Sequence, residues 1–91
     1  MRRSLTGDIF MSSYRFVFEV YSPPGPRGGD LVGFTSRTAT LLDDETARKT
    51  FSDMIKETEE RIKQGFPKTQ IPNQLMRIDQ PEVVTVLETR S

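Results

Sequence analysis

Residues 43–64, DDETARKTFSDMIKETEERIKQ, constrain the chain more than any other stretch. Ala47, Phe51, Met54, Ile55 and Ile62 recur at helical spacing, and Thr58 bridges the gap. On a helix they form one apolar stripe about a third of the circumference wide. Asp43 or Asp44 is placed as N-cap, because its carboxylate accepts from the free N–H groups of the first turn. Glu45 adds negative charge at the positive end of the helix dipole. Helix capping therefore accounts for the chain's one acidic cluster without a metal ion. Gly65 ends the run, Phe66 is expected to fold back near Ile62, and Pro67 blocks continuation. The other face is mixed in charge, and Glu57–Arg61 and Glu59–Lys63 are predicted to pair at i,i+4.

An apolar stripe needs a second layer to bury it. Residues 14–21, YRFVFEVY, are the best strand. Alternation puts Tyr14, Phe16, Phe18 and Val20 toward the helix and Arg15, Val17, Glu19 and Tyr21 on the far face. Residues 22–30, SPPGPRGGD, read as a flexible hairpin loop from their Pro and Gly content. Residues 31–42 read as a second strand, with Gly33 marking a bulge or a close approach. Leu41 and Leu42 would staple the start of the helix. After the helix, residues 66–74 are expected to be irregular because of Pro67 and Pro72, with Ile71 plugging one end of the core. Residues 75–78 form a short third strand, 79–82 a turn and 83–89 a fourth strand.

The expectation is an α+β domain of order β-β-α-β-β, a small four-stranded mixed or antiparallel sheet packed against one central helix. This order resembles the β-grasp, or ubiquitin-like, arrangement over roughly residues 14–89. The resemblance is in element order alone: no terminal Gly-Gly for conjugation is present, and no function follows from it. Residues 1–13 read as a flexible tail, with Met11-Ser12-Ser13 resembling a second start, and residues 14–90 as a single domain.

Composition narrows the function classes. The chain has 91 residues, formal net charge +0, no cysteine and no histidine. Zero charge disfavours a nucleic-acid or membrane-surface binder, which works through a basic excess. Without cysteine or histidine there is no disulfide scaffold, no thiolate nucleophile and neither of the commonest zinc ligands. No apolar run reaches the length of a membrane span and no signal-peptide core follows Arg2 and Arg3, so a cytoplasmic chain is expected. No Gly-Lys-Ser/Thr ending or nucleophile motif appears, and no cofactor is called for.

What remains is surplus apolar surface. One helix covers one face of a sheet, yet Val17 and Tyr21 lie on the far face of the first strand. The last strand is apolar on both sides, with Val83 and Leu87 on one and Val84 and Val86 on the other. The expected function is a non-enzymatic protein-interaction module, a small accessory or regulatory or inhibitor protein. It would bind another protein or a second copy through the sheet face, a strand edge or the 22–30 loop, with Val17, Tyr21, Arg27, Val83 and Leu87 in the contact. The alternative is a nucleic-acid-binding domain using Arg27 and Arg37, with Lys68, Arg77 and the stacking rings of Tyr14 and Tyr21.

Overall fold

A computed structural model describes residues 12–26, 28–79 and 83–90. Residues 1–11 of the expected 1–13 tail, Arg27 and residues 80–82 of the expected 79–82 turn lie outside the described residues, whereas Ser12 and Ser13 belong to the first strand and Asp79 to the third. The elements are β1 (Ser12–Tyr21), β2 (Leu31–Leu41), α1 (Asp44–Lys63), β3 (Gln70–Asp79) and β4 (Val83–Thr89). The sheet order is β2-β1-β3-β4, and all three pairings are antiparallel. The domain is thus an α+β fold with a wholly antiparallel sheet, of the two arrangements expected.

The helix begins and ends on the residues that signal it. Asp43 is the N-cap, and its carboxylate accepts from the Thr46 N–H at 2.8 Å. At the other end Gly65 has φ +94°, the left-handed conformation that glycine adopts at no steric cost. The Gly65 N–H then donates to the Ile62 carbonyl and the Phe66 N–H to the Arg61 carbonyl, a Schellman closure. The Phe66 ring lies exposed beneath the Arg61 guanidinium, 5.7 Å away. The two predicted i,i+4 pairs, Glu57–Arg61 and Glu59–Lys63, are not formed; the helix carries Lys49–Asp53 instead.

The stripe is buried as its spacing requires. Ala47, Phe51 and Thr58 are buried, and Met54 and Ile55 pack at the margin. Across from them, Tyr14, Phe16 and Phe18 of β1 and Leu75 of β3 complete the core, with the Phe16 and Phe51 rings 6.5 Å apart. Both central strands contribute, since Phe16 and Leu75 are direct cross-strand partners. Leu41 packs at the edge of this cluster, but Leu42 stays 56% exposed and staples nothing.

β3 is longer than expected. It starts at Gln70 and runs through Pro72, in a segment expected to be irregular. Proline is tolerated because the β1–β3 register slips between Val17 and Phe18, where Asn73 is the extra residue. At a bulge the missing N–H leaves no gap in the ladder. Ile71 is buried, as expected. A second slip, between Val20 and Tyr21 against β2, lies beside Gly33 and supports its reading as a bulge marker. Space around Gly33 is open, so it does not mark a close approach.

The 22–30 loop is closed on itself. The Ser22 N–H donates to the Asp30 carbonyl, and the Asp30 N–H returns to Ser22 Oγ, each at 2.9 Å. Gly25, at φ +105°, is buried against the helix–β3 connection; a Cβ there would stand 2.7 Å from the Lys68 carbonyl oxygen.

Leu75 has no exposed surface and sits at the centre of both layers. Leu75→Ala is expected to lower stability by about 2–5 kcal/mol. Leu42→Ala should stay within about 0.5 kcal/mol of the parent, as exposed substitutions do. Denaturant unfolding followed by circular dichroism checks both; similar losses would contradict this assignment of the core.

Candidate functional site

The face of the sheet opposite α1 follows from the register. Phe16 packs on the helix, so its neighbours Arg15 and Val17 point away. Cross-strand partners share a face. Arg15 meets Met76, which meets Val86; Ser13 meets Ile78, which meets Val84; Glu19 meets Phe34 of β2. A patch of Met76, Ile78, Val84 and Val86 therefore covers the β3–β4 side, with Val17 at its margin between its polar partners Ser36 and Gln74. Val84 is 45% and Val86 52% exposed, and no described element lies over them. On the β2 side, Phe34 is 61% exposed, and Ser36, Thr38 and Thr40 make the rest of that strand's contribution polar.

Two polar clusters pin the sheet to its surroundings. At the helix start, Tyr14 Oη donates to Asp44 Oδ1 at 2.8 Å, and Arg77 Nη1 donates to Asp44 Oδ2. Arg77 Nε also donates to Asp79. The cluster joins β1, α1 and β3. It explains Asp44, just as capping explains Asp43, and among the described residues no group of carboxylates converges as a metal ion would require. At the far end, the Glu19 carboxylate accepts from Tyr21 Oη at 2.7 Å, Asn73 Nδ2 at 2.7 Å and Arg90 Nη2 at 3.0 Å. Arg90 Nε additionally donates to the Pro72 carbonyl at 2.8 Å, tying the end of the described chain to β1 and β3.

A third feature is a cleft of about 520 Å³ between the C-terminal half of α1, β2 and the start of β3. Arg37, Arg61 and Lys68 line it, with Glu57 as its one acid. The Arg37 guanidinium lies 5.0 Å over the Phe18 ring and donates to Gln70 Oε1 at 3.2 Å.

The residues expected in a partner contact are dispersed. Val17 lies on the uncovered face. Tyr21, beyond the register slip, instead borders a cavity of about 190 Å³ with Ile55, Ile62 and Ile71, beside the helix. Leu87 packs against the core on the covered side, and exposed Val83 shares that side through its partner Asp79. Arg27 is outside the described residues. The uncovered residues of β4 are Val84 and Val86. Of the nucleic-acid candidates, Arg37 and Lys68 share the cleft, whereas Arg77 is held by two carboxylates at the opposite end of the helix and the Tyr14 ring is buried. Sequence reasoning missed Arg61 because its i,i+4 spacing from Glu57 disguised it as a paired surface charge.

No protein-family model matches the chain, and no curated protein or solved structure matches it either. Among the described residues, no helix is long and apolar enough to cross a membrane.

Both tyrosine pKa values are raised. For Tyr14 the main cause is burial, followed by its hydrogen bond to the Asp44 carboxylate; for Tyr21 it is the hydrogen bond to Glu19, followed by burial. A raised phenol pKa means stability that is fully present below the ordinary value of about 10 and is lost as pH rises through the folded value. The chain has two tyrosines and no tryptophan, so phenolate absorbance reports on these groups directly. Native protein is expected to titrate at higher pH than protein in urea; coincident curves would contradict both clusters. Tyr14→Phe should cost about 1 kcal/mol, one net hydrogen bond, in denaturant unfolding.

Proposed function

We propose that this chain is a non-enzymatic protein-interaction module whose uncovered sheet face packs against a second copy of itself. The observation that carries the proposal is the apolar patch of Met76, Ile78, Val84 and Val86, with Val17 diagonal to Met76 and no described element over it. Soluble monomers seldom expose a large contiguous apolar patch, and an antiparallel sheet whose outer face faces water ordinarily carries polar residues there.

Three features favour a second copy as the occupant. The net charge is +0, so two copies approach without overall repulsion. The uncovered face presents one cation, Arg15, and the nearest acid, Glu19, is only 15% exposed and engaged by three donors, so the face does not ask for a highly charged partner. The apolar band is also off-centre, toward β3 and β4, while Ser36, Thr38 and Thr40 of β2 are polar. A two-fold pairing over the β3–β4 half would give an apolar centre with a hydroxyl-rich rim, the usual anatomy of a protein interface.

Light scattering on a size-exclusion column tests this with the full chain and with a version starting at Met11. Both should be dimers. Val86→Asp and Met76→Asp should make them monomeric while the helical circular-dichroism signal persists. A wild-type monomer up to about 1 mM, where even an affinity of roughly −4 kcal/mol would show, overturns the self-association. A dimer formed only by the full chain would move the contact to residues 1–10.

A further inference from the structure

We propose that the cleft between α1, β2 and the start of β3 is a binding site for the phosphate group of a small molecule, held by Arg37, Arg61 and Lys68. The site is independent of the uncovered sheet face, since Arg37 lies on the helix side of β2 as the cross-strand partner of Phe16.

Charge pairing separates these cations from the three paired arginines, and their shared cleft separates them from Arg15, Lys56 and Lys63, which also lack an ion pair among the described residues. Arg48 pairs with Glu88, Arg77 with Asp44 and Asp79, and Arg90 with Glu19. Arg37, Arg61 and Lys68 have no described carboxylate within ion-pair distance, although Glu57 shares their cleft and stands one turn from Arg61. Both guanidiniums are seated on aromatic rings, Arg37 on Phe18 and Arg61 on Phe66. Stacking fixes the planar group from its face and leaves the in-plane N–H donors for a ligand. Arg37 spends one donor on Gln70, which orients it further.

The electrostatic balance favours an anion. Against three cations stand Glu57 and the negative end of the helix dipole, about half a charge, leaving about +1.5 charges around one cleft. Two guanidinium forks and an ammonium suit a tetrahedral dianion with several acceptor oxygens. A cleft of about 520 Å³ also lies in the size range of small-molecule sites. A nucleic-acid strand is less suited to this surface. It needs cations that track a backbone, and Arg77, the next candidate, is neutralised at the other end of the helix.

Backbone amide shifts of the full chain, titrated separately with inorganic phosphate, ATP and a short single-stranded oligonucleotide, test the proposal. Phosphate or ATP should give saturable shifts confined to Arg37, Arg61 and residues 67–70. Arg37→Gln and Arg61→Gln should each weaken binding by about tenfold or more, the size of one charge-assisted hydrogen bond, at unchanged melting temperature. Arg48→Gln, whose partner is Glu88, should leave binding unchanged. Equal affinity for phosphate and ATP would show that the anion alone is read; tighter ATP would show that the cleft also holds the rest of the molecule. The proposal is overturned by shifts that do not saturate by about 10 mM, by shifts the variants leave intact, or by saturable binding of the oligonucleotide alone.

Discussion

The packing of Ala47 and Phe51 onto Tyr14, Phe16 and Leu75 is the contact on which the rest of the fold depends. It joins the helix to the two central strands at once, and outer strands β2 and β4 are held mainly through those two. Its scale explains the surface left over. A helix of 20 residues is about 30 Å long but only about 10 Å wide, whereas four strands span roughly 19 Å. One helix therefore covers the middle of one face. The outer strands gain little burial from it, and the opposite face gains none. Surplus apolar surface is a geometric result of pairing one helix with four strands.

Charge serves a different purpose at the two ends. At each end a partly buried carboxylate, Asp44 or Glu19, gathers donors from separate elements and thereby fixes where those elements meet. Such clusters specify register more than they add stability, because removing charged groups from water offsets much of their attraction. The cleft differs because its two arginines rest on rings and its three cations form no ion pair among the described residues. Among the described arginines three are paired with carboxylates and two are stacked on phenylalanines, and the stacked ones keep donors for a ligand.

Much of the fold was legible from residue types. Asp43, Gly65 and the 47–51–54–55–58–62 spacing bound the helix to within a residue of each end, because capping and periodicity are local. Alternation in β1 located the core aromatics for the same reason. Features that depend on distant partners were not legible. Pro72 hid the first half of β3, since its compatibility rests on a bulge that only the pairing with β1 creates. Tyr21 borders a cavity with Ile55, Ile62 and Ile71, a neighbourhood that only the tertiary packing creates. Leu42 and Phe66 sit where local rules expect staples, yet more than half of each stays exposed. Of the functional surfaces, the surplus itself was visible in Val84, Val86 and Val17. The gathering of Arg37, Arg61 and Lys68 was not, as they come from three separate segments and one of them stands beside an acid of matching spacing.

The central position of β1 also sets an order of assembly. Its ladder with β2 closes across a nine-residue connection that is already tied together by Ser22 and Asp30, whereas its ladder with β3 pairs Tyr14 with Arg77 only after the helix lies between them. Closing the longer loop costs more entropy, which favours forming the β1–β2 hairpin before β3 docks. Until β3 docks, one side of β1 is an unpaired edge carrying alternate aromatic side chains. In that interval the strand that later becomes the best protected is the one most open to pairing with another chain.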